Sequence, residues 1–135
     1  MRVRSILARR LVPLEQFDAV VRTFERLLDE PARRRFDYPE KNLRLAQVAQ
    51  VLLIGGAEAG LVPVRATAMT LLIDGIDDHA AVLSAIGAEF VRGVQDVPSG
   101  RNMLVRLPDG TLIECVEHAD PLQEDDVLNA VGGSI

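Results

Sequence analysis

An α+β fold made of one β-α-β-β-β motif used twice is what the sequence predicts. Three observations carry that prediction. Two stretches read as helices, the rest of the chain breaks into short β-compatible runs, and the order of these signals in the first half returns in the second at a period of roughly 60 residues. With 135 residues, 48% of them hydrophobic, the chain is long enough to form one compact domain with its own core.

The elements follow in order. Residues 3–12 are rich in β-compatible side chains and end at Pro13, which marks a first strand. Beyond it Phe17, Val20, Val21, Phe24, Leu27 and Leu28 recur on one helical face, and Pro31 stops the helix. Three strand-like runs come next, 32–36, 43–48 and 50–54, punctuated by "DYPEKN" and by Gly55 and Gly56. The stretch "GGAEAG" lacks the lysine and hydroxyl residue of a phosphate loop and reads as a flexible linker between modules. A second strand-helix pair then covers 66–73 and the segment from Asp77, a helix N-cap candidate, to Gly87, a stop signal. The runs 89–94, 102–107 and 111–117 complete the motif, with "VPSG" and "LPDG" supplying turns. This divides the chain into a first module at 1–60, a second at 61–119 and a C-terminal tail at 120–135. In the tail Val127, Leu128 and Val131 have helical spacing, which suits a short helix or a frayed end.

Composition narrows the function classes. Twenty acidic residues against 15 basic ones give a net charge of -5, so neither nucleic acid nor an anionic membrane finds bulk electrostatic support. The basic cluster "ARRR" stands close to Asp37 and Glu40 and reads as a solvated strand face. A single cysteine, Cys115, excludes an intrachain disulfide framework and points to a reducing, cytoplasmic location. It reads as a packed core thiol, because no histidine stands in a nucleophile-activating relation to it. The apolar stretch at the N-terminus is interrupted by Arg9 and Arg10, and neither a signal peptide nor a membrane span is expected.

Neither module can bury both faces of a four-stranded sheet alone. Helices are therefore expected on the outer face of a curved mixed sheet, whose other face forms a shared cup suited to a small organic ligand. Within "LVRLPDGTLIECVEH" one carboxylate, Glu114, interrupts an apolar strand, and a lone buried carboxylate is costly unless paired. Alternation places Leu112, Glu114 and Val116 on one face and Ile113 and Cys115 on the helix side. The same rule sends Met69, Leu71 and Ile73 to the helix and Ala66, Ala68, Thr70 and Leu72 to the cup. In the first strand it sends Ile6, Ala8 and Val12 to the helix and Ser5, Leu7, Arg9 and Leu11 to the cup, leaving Arg10 awkwardly on the helix side. The ligand-lining candidates are Arg9, Ala68, Thr70, Leu112 and Glu114. Gln47, Gln50, Arg101 and Asn102 read as exposed or solvated, and His79 and His118 as surface residues.

The segments "FDAVVRTFERLLDEPARRRFDYP", "LLIDGIDDHAAVLSAIGAEFV" and "VPSGRNMLVRLPDGTLIECVE" resemble the vicinal oxygen chelate superfamily, which includes glyoxalases, bleomycin-resistance proteins and extradiol dioxygenases. The resemblance covers residues 3–118 and implies paired β-α-β-β-β modules. In metal-dependent members a first-strand histidine, glutamate or glutamine and a last-strand glutamate from each module hold a divalent ion. Carried over position by position, Glu114 matches the last-strand glutamate of the second module. Ala68 stands in the first-strand place of that module, the corresponding place in the first falls near Arg9, and "QVLLIG" offers no carboxylate. One filled position of four is too few donors for tight divalent binding.

Glu114 is left with four roles: hydrated at the cup's rim, paired with Arg9 or contacting a ligand, holding a metal, or acting as general base. The expected function is a metal-free small-molecule binding protein with a degenerate metal site and no cofactor. The alternative is an enzyme of the superfamily, a lyase, isomerase or dioxygenase, with Glu114 as metal ligand or general base. The chain has no tryptophan, one tyrosine and four phenylalanines, so a small or aliphatic ligand fits better than a flat aromatic one. The resemblance also implies a homodimer.

Overall fold

Strand β1, Arg2–Pro13, is twelve residues long and contributes to both halves of the chain. A computed structural model describes residues 1–128, so Val131 lies outside the described residues. After β1 come α1 (Phe17–Leu28), β2 (Arg34–Tyr38), β3 (Leu43–Val48), β4 (Val51–Gly56) and a short α2 (Glu58–Leu61). The second half contains β5 (Met69–Asp74), α3 (Ile76–Ala85), β6 (Glu89–Val97), β7 (Gly100–Arg106) and β8 (Leu112–His118). The α+β class and the repeated β-α-β-β-β order are those read from the sequence. The chain divides into two compact units, Ala8–Ala66 and Met1–Leu7 together with Thr67 onward.

In the unit Ala8–Ala66 the strand order is β2-β3-β4-β1. The second half of β1 runs parallel to β4, from Ala8 opposite Val51 to Pro13 opposite Gly56, and the other pairs are antiparallel. Val12, Phe17, Val21, Ala46, Val48 and Leu53 form the core beneath α1, with Val20 and Phe24 packed against it. The apolar stripe of α1 outruns that core, because Leu27 is 71% exposed. Ile6, expected under a helix, is also largely exposed, whereas Val12 packs there as predicted. Gly55 and Gly56 end β4 rather than punctuate a loop. A Cβ at Gly55 would collide with the Phe17 ring, so only glycine lets the strand pass under it. Nor is the following segment a slack linker: it folds into α2 and a 3-10 turn at Val62–Val64, and Leu61 is buried.

In the other unit the order is β5-β8-β7-β6, with the Arg2–Leu7 half of β1 beside β5. β5 is parallel to β8, while β8, β7 and β6 are antiparallel neighbours. Ile73, Ile76, Met103, Val105, Ile113 and Cys115 form its core, against which Met69, Leu71, Ala80 and Leu83 pack. Helix α3 begins one residue earlier than Asp77, with Gly75 as its N-cap at φ 70°. The reason lies on a distant strand: one carboxylate oxygen of Glu117 accepts from both Gly75 N (2.9 Å) and Ile76 N (3.0 Å). A side-chain cap from Asp77 is therefore unnecessary. Among the described residues no helix is long and apolar enough to cross a membrane.

Candidate functional site

The site is built on the face of the β5-β8-β7-β6 sheet away from α3. Ile113 and Cys115 are committed to the core under the helix, so alternation turns Glu114 to the opposite face. Strand register extends that position into a row, since Glu114 is opposite Thr70 on β5 and Leu104 on β7, and Leu104 is opposite Arg92 on β6. The adjacent row is Leu72, Val116, Asn102 and Gln95. Residues directly opposite one another share a face, so eight side chains form a two-row patch with apolar and polar members interleaved.

Hydrogen bonds join its polar members. Thr70 Oγ1 donates to Glu114 Oε1 at 2.9 Å, and Asn102 Nδ2 donates to Oε2 at 3.2 Å. Asn102 Oδ1 accepts from Arg92 Nη2 at 3.0 Å and from Gln95 Nε2 at 3.3 Å. Thr70 and Asn102 are buried, at 1% and 6% exposure, so their polar atoms need these partners. Leu72, Leu112 and Val116 are buried around them. A half-buried carboxylate is tolerable here because each oxygen receives a hydrogen bond, one answer to the problem posed by an acid in an apolar strand.

The other predicted residues stand as follows. Ala68 is exposed and precedes β5, where its N–H donates to Leu112 O at 2.8 Å. Arg9 belongs to the other unit, is half-buried, and donates from Nη2 to Val64 O at 3.4 Å. Gln47 is buried, not exposed, and its Nε2 donates to Ala49 O. Asn102 is a buried hub rather than a solvated loop residue, and Arg101 forms ion pairs with Glu117 (2.9 Å) and Asp77 (3.2 Å). The sequence reading missed Arg92 and Gln95, because register shifts between Phe90, Arg92 and Gln95 break the period-two alternation on which it relied. Gly93 within that strand was the available signal.

Burial pushes the Cys115 thiol up to about 11, with the Glu114 charge adding to the effect, so this cysteine is a poor nucleophile. Burial alone would raise the Glu117 carboxyl, but the Ile76 N–H, Arg101 and the Gly75 N–H together hold it below its ordinary value. A divalent ion fits this donor set poorly. Among the described residues no three His, Cys, Asp or Glu side chains come together, and Thr70 Oγ1 and Asn102 Nδ2 both point hydrogens at Glu114.

No family model matches the chain, and no curated protein matches it. Among solved structures an uncharacterized protein from Methanosarcina mazei is 40% identical, with a TM-score of 0.83 over 91% of this chain and 99% of that one. Methylmalonyl-CoA epimerase from Mycobacterium tuberculosis is 15% identical, with a TM-score of 0.63 over 89% of this chain and 94% of that one. A variant of the Streptomyces coelicolor methylmalonyl-CoA epimerase, in complex with 2-nitronate-propionyl-CoA, is 14% identical, with a TM-score of 0.61 over 86% and 99%. The chain thus belongs to the same family as the Methanosarcina mazei protein, and its fold is the vicinal-oxygen-chelate fold seen in the methylmalonyl-CoA epimerases.

Proposed function

We propose that the protein binds a small organic molecule without a metal, on the sheet face that carries Glu114. The observation that carries this reading is the Glu114 carboxylate itself, held by Thr70 and Asn102 among buried leucine and valine side chains. An ionised carboxylate on this face is a strong acceptor for a ligand N–H or O–H. Leu112 supplies apolar contact, Thr70 fixes the carboxylate and Ala68 precedes β5 in the same unit; Arg9, the remaining residue of the sequence expectation, falls in the unit Ala8–Ala66. A metal would have to displace donors already aimed at Glu114, which is why a metal-independent site is preferred.

A second reading is favoured by the structural likeness to methylmalonyl-CoA epimerases. In it the protein is an enzyme and Glu114 is a general base that removes a proton from a bound C–H acid.

The test is a thermal-shift screen of small organic molecules and of divalent nickel, manganese, zinc and iron, on the wild-type protein and on Glu114→Gln. A ligand that binds only the folded state raises its melting temperature. The binding reading expects organic hits whose shift falls in Glu114→Gln, with no saturable metal effect. A stoichiometric metal whose stabilisation is lost in Glu114→Gln overturns it. Glu114-dependent exchange of a hit's C–H for deuterium in heavy water replaces it with the enzyme reading.

A further inference from the structure

Among the described residues Arg92 has no counter-ion. It is half-buried on β6, its Nη2 donates to the neutral amide of Asn102, and among the described residues no carboxylate stands within ion-pair distance of it. Its Nε is buried and meets no acceptor. A guanidinium carries five N–H donors, and one is used. Neighbouring arginines are placed otherwise: Arg101 is paired with Glu117 and Asp77, and Arg106 lies 3.7 Å from Glu89. A partly desolvated charge held by a neutral partner is costly unless an anion completes it.

The register fixes where that anion would be. Arg92 is on the same row as Glu114, two strands away, and both are joined to Asn102. Asn102 keeps the opposite charges apart: its Oδ1 faces the guanidinium and its Nδ2 faces the carboxylate, so they do not neutralise each other directly. The row therefore carries the Arg92 guanidinium and the Glu114 carboxylate two strands apart, with Leu104 between them.

We propose that Arg92, with Gln95 beside it, is an oxyanion subsite. The ligand of this face then carries a carboxylate or phosphate group at one end and a hydrogen-bond donor at the other. This rests on the reading of the Glu114 face as a small-molecule site and narrows its ligand class. Guanidinium suits both oxyanions because its planar donors match their geometry, and a charge-assisted hydrogen bond is stronger than a neutral one.

The experiment is an NMR titration of isotope-labelled full-length protein with inorganic phosphate and, separately, with butyrate. Chloride at matched ionic strength is the control. The Arg92 Nε–H and the Asn102 side-chain amide are followed. Saturable shifts at both groups with an oxyanion, and none with chloride, are expected. Preference for butyrate assigns a carboxylate and preference for phosphate a phosphoryl group. Arg92→Gln should weaken binding roughly tenfold or more, and Arg92→Lys, which keeps the charge, should weaken it less. Glu114→Gln should retain the anion, so failure of the Glu114 reading and failure of this one are distinguishable. An unmoved Arg92 Nε–H in the wild type, or an Arg92→Gln protein that binds the oxyanion as the wild type does, overturns the proposal. The wild-type shifts decide it by themselves if Arg92→Gln does not fold.

Discussion

Adjacent residues on β8 have opposite fates. Cys115 points into the core and Glu114 out of it, and the difference is one step of backbone alternation. Cys115 is 1% exposed and its thiol is pushed up to about 11, so little thiolate exists near neutrality. Modification by a disulfide reagent at pH 7.5 is expected to be on the order of a hundredfold slower than for an unfolded thiol, and to reach the unfolded rate in urea. Rapid labelling of the native protein would contradict the packing described. This fate was legible from sequence, because Glu114 alternates with the apolar pair Ile113 and Cys115. Asn102 was not legible. Its role depends on lying opposite Val116 and diagonal to Glu114, and neither relation follows from the identity of a residue beside a turn.

Helix α3 shows the same limit for a whole element. Its existence could be read from "DGIDDHAAVLSAIG", but its start could not, because the group that caps it is Glu117, 41 residues beyond Ile76. Local capping rules see only local side chains. The consequence is a pH-dependent helix terminus. The folded-state pKa of Glu117 lies below its ordinary value, so its stabilisation is complete above the unfolded pKa and is lost as pH falls through the folded one. Glu117→Gln should cost about 1 kcal/mol in urea unfolding at pH 7. The gap from wild type should close as the pH falls from the ordinary carboxylate range through the lower folded-state value, where the wild-type carboxylate is itself protonated. A gap of the same size at low pH would show that charge plays no part in the cap. The β strands were the most legible elements, since each of the eight overlaps a strand-like run read from the sequence; β5 starts at Met69 rather than at 66, and β6 runs on to Val97, past its predicted end, through register shifts that no alternation rule anticipates.

At the scale of the molecule, the chain's first strand and its C-terminal segment are tied together. Arg2 pairs with Asp74 and Asp126, each at 2.9 Å, while Arg4 donates to Leu122 O at 2.9 Å and reaches Asp74 at 3.4 Å. Arg2 and Arg4 outweigh the burial of the Asp74 carboxyl: the Arg2 hydrogen bond leads, and the group is held below its ordinary value. Removing the chain from Pro121 onward would strip the 8%-exposed Arg4 of its carbonyl partner and Arg2 of an ion pair. A loss of about 1–3 kcal/mol in urea unfolding is expected, because a buried donor is left unsatisfied. An unchanged midpoint would show that the segment merely rests there. Nothing in the sequence of the tail announced this, because its partners are in the first strand, with Leu122 and Arg4 118 positions apart.

Strand β1 has one further implication, for anyone who would take the protein apart. A repeat of two modules invites cutting at the repeat boundary, yet the unit that holds Glu114 is discontinuous in sequence, drawing residues 1–7 from the far end of the chain. A fragment starting at Thr67 would leave β5 without the neighbour it has in the intact sheet, an open edge that invites association. The shortest continuous polypeptide carrying the whole unit is a circular permutant, with residues 1–7 rejoined behind the C-terminal segment. The gene order of the modules and their structural order are offset by half a strand.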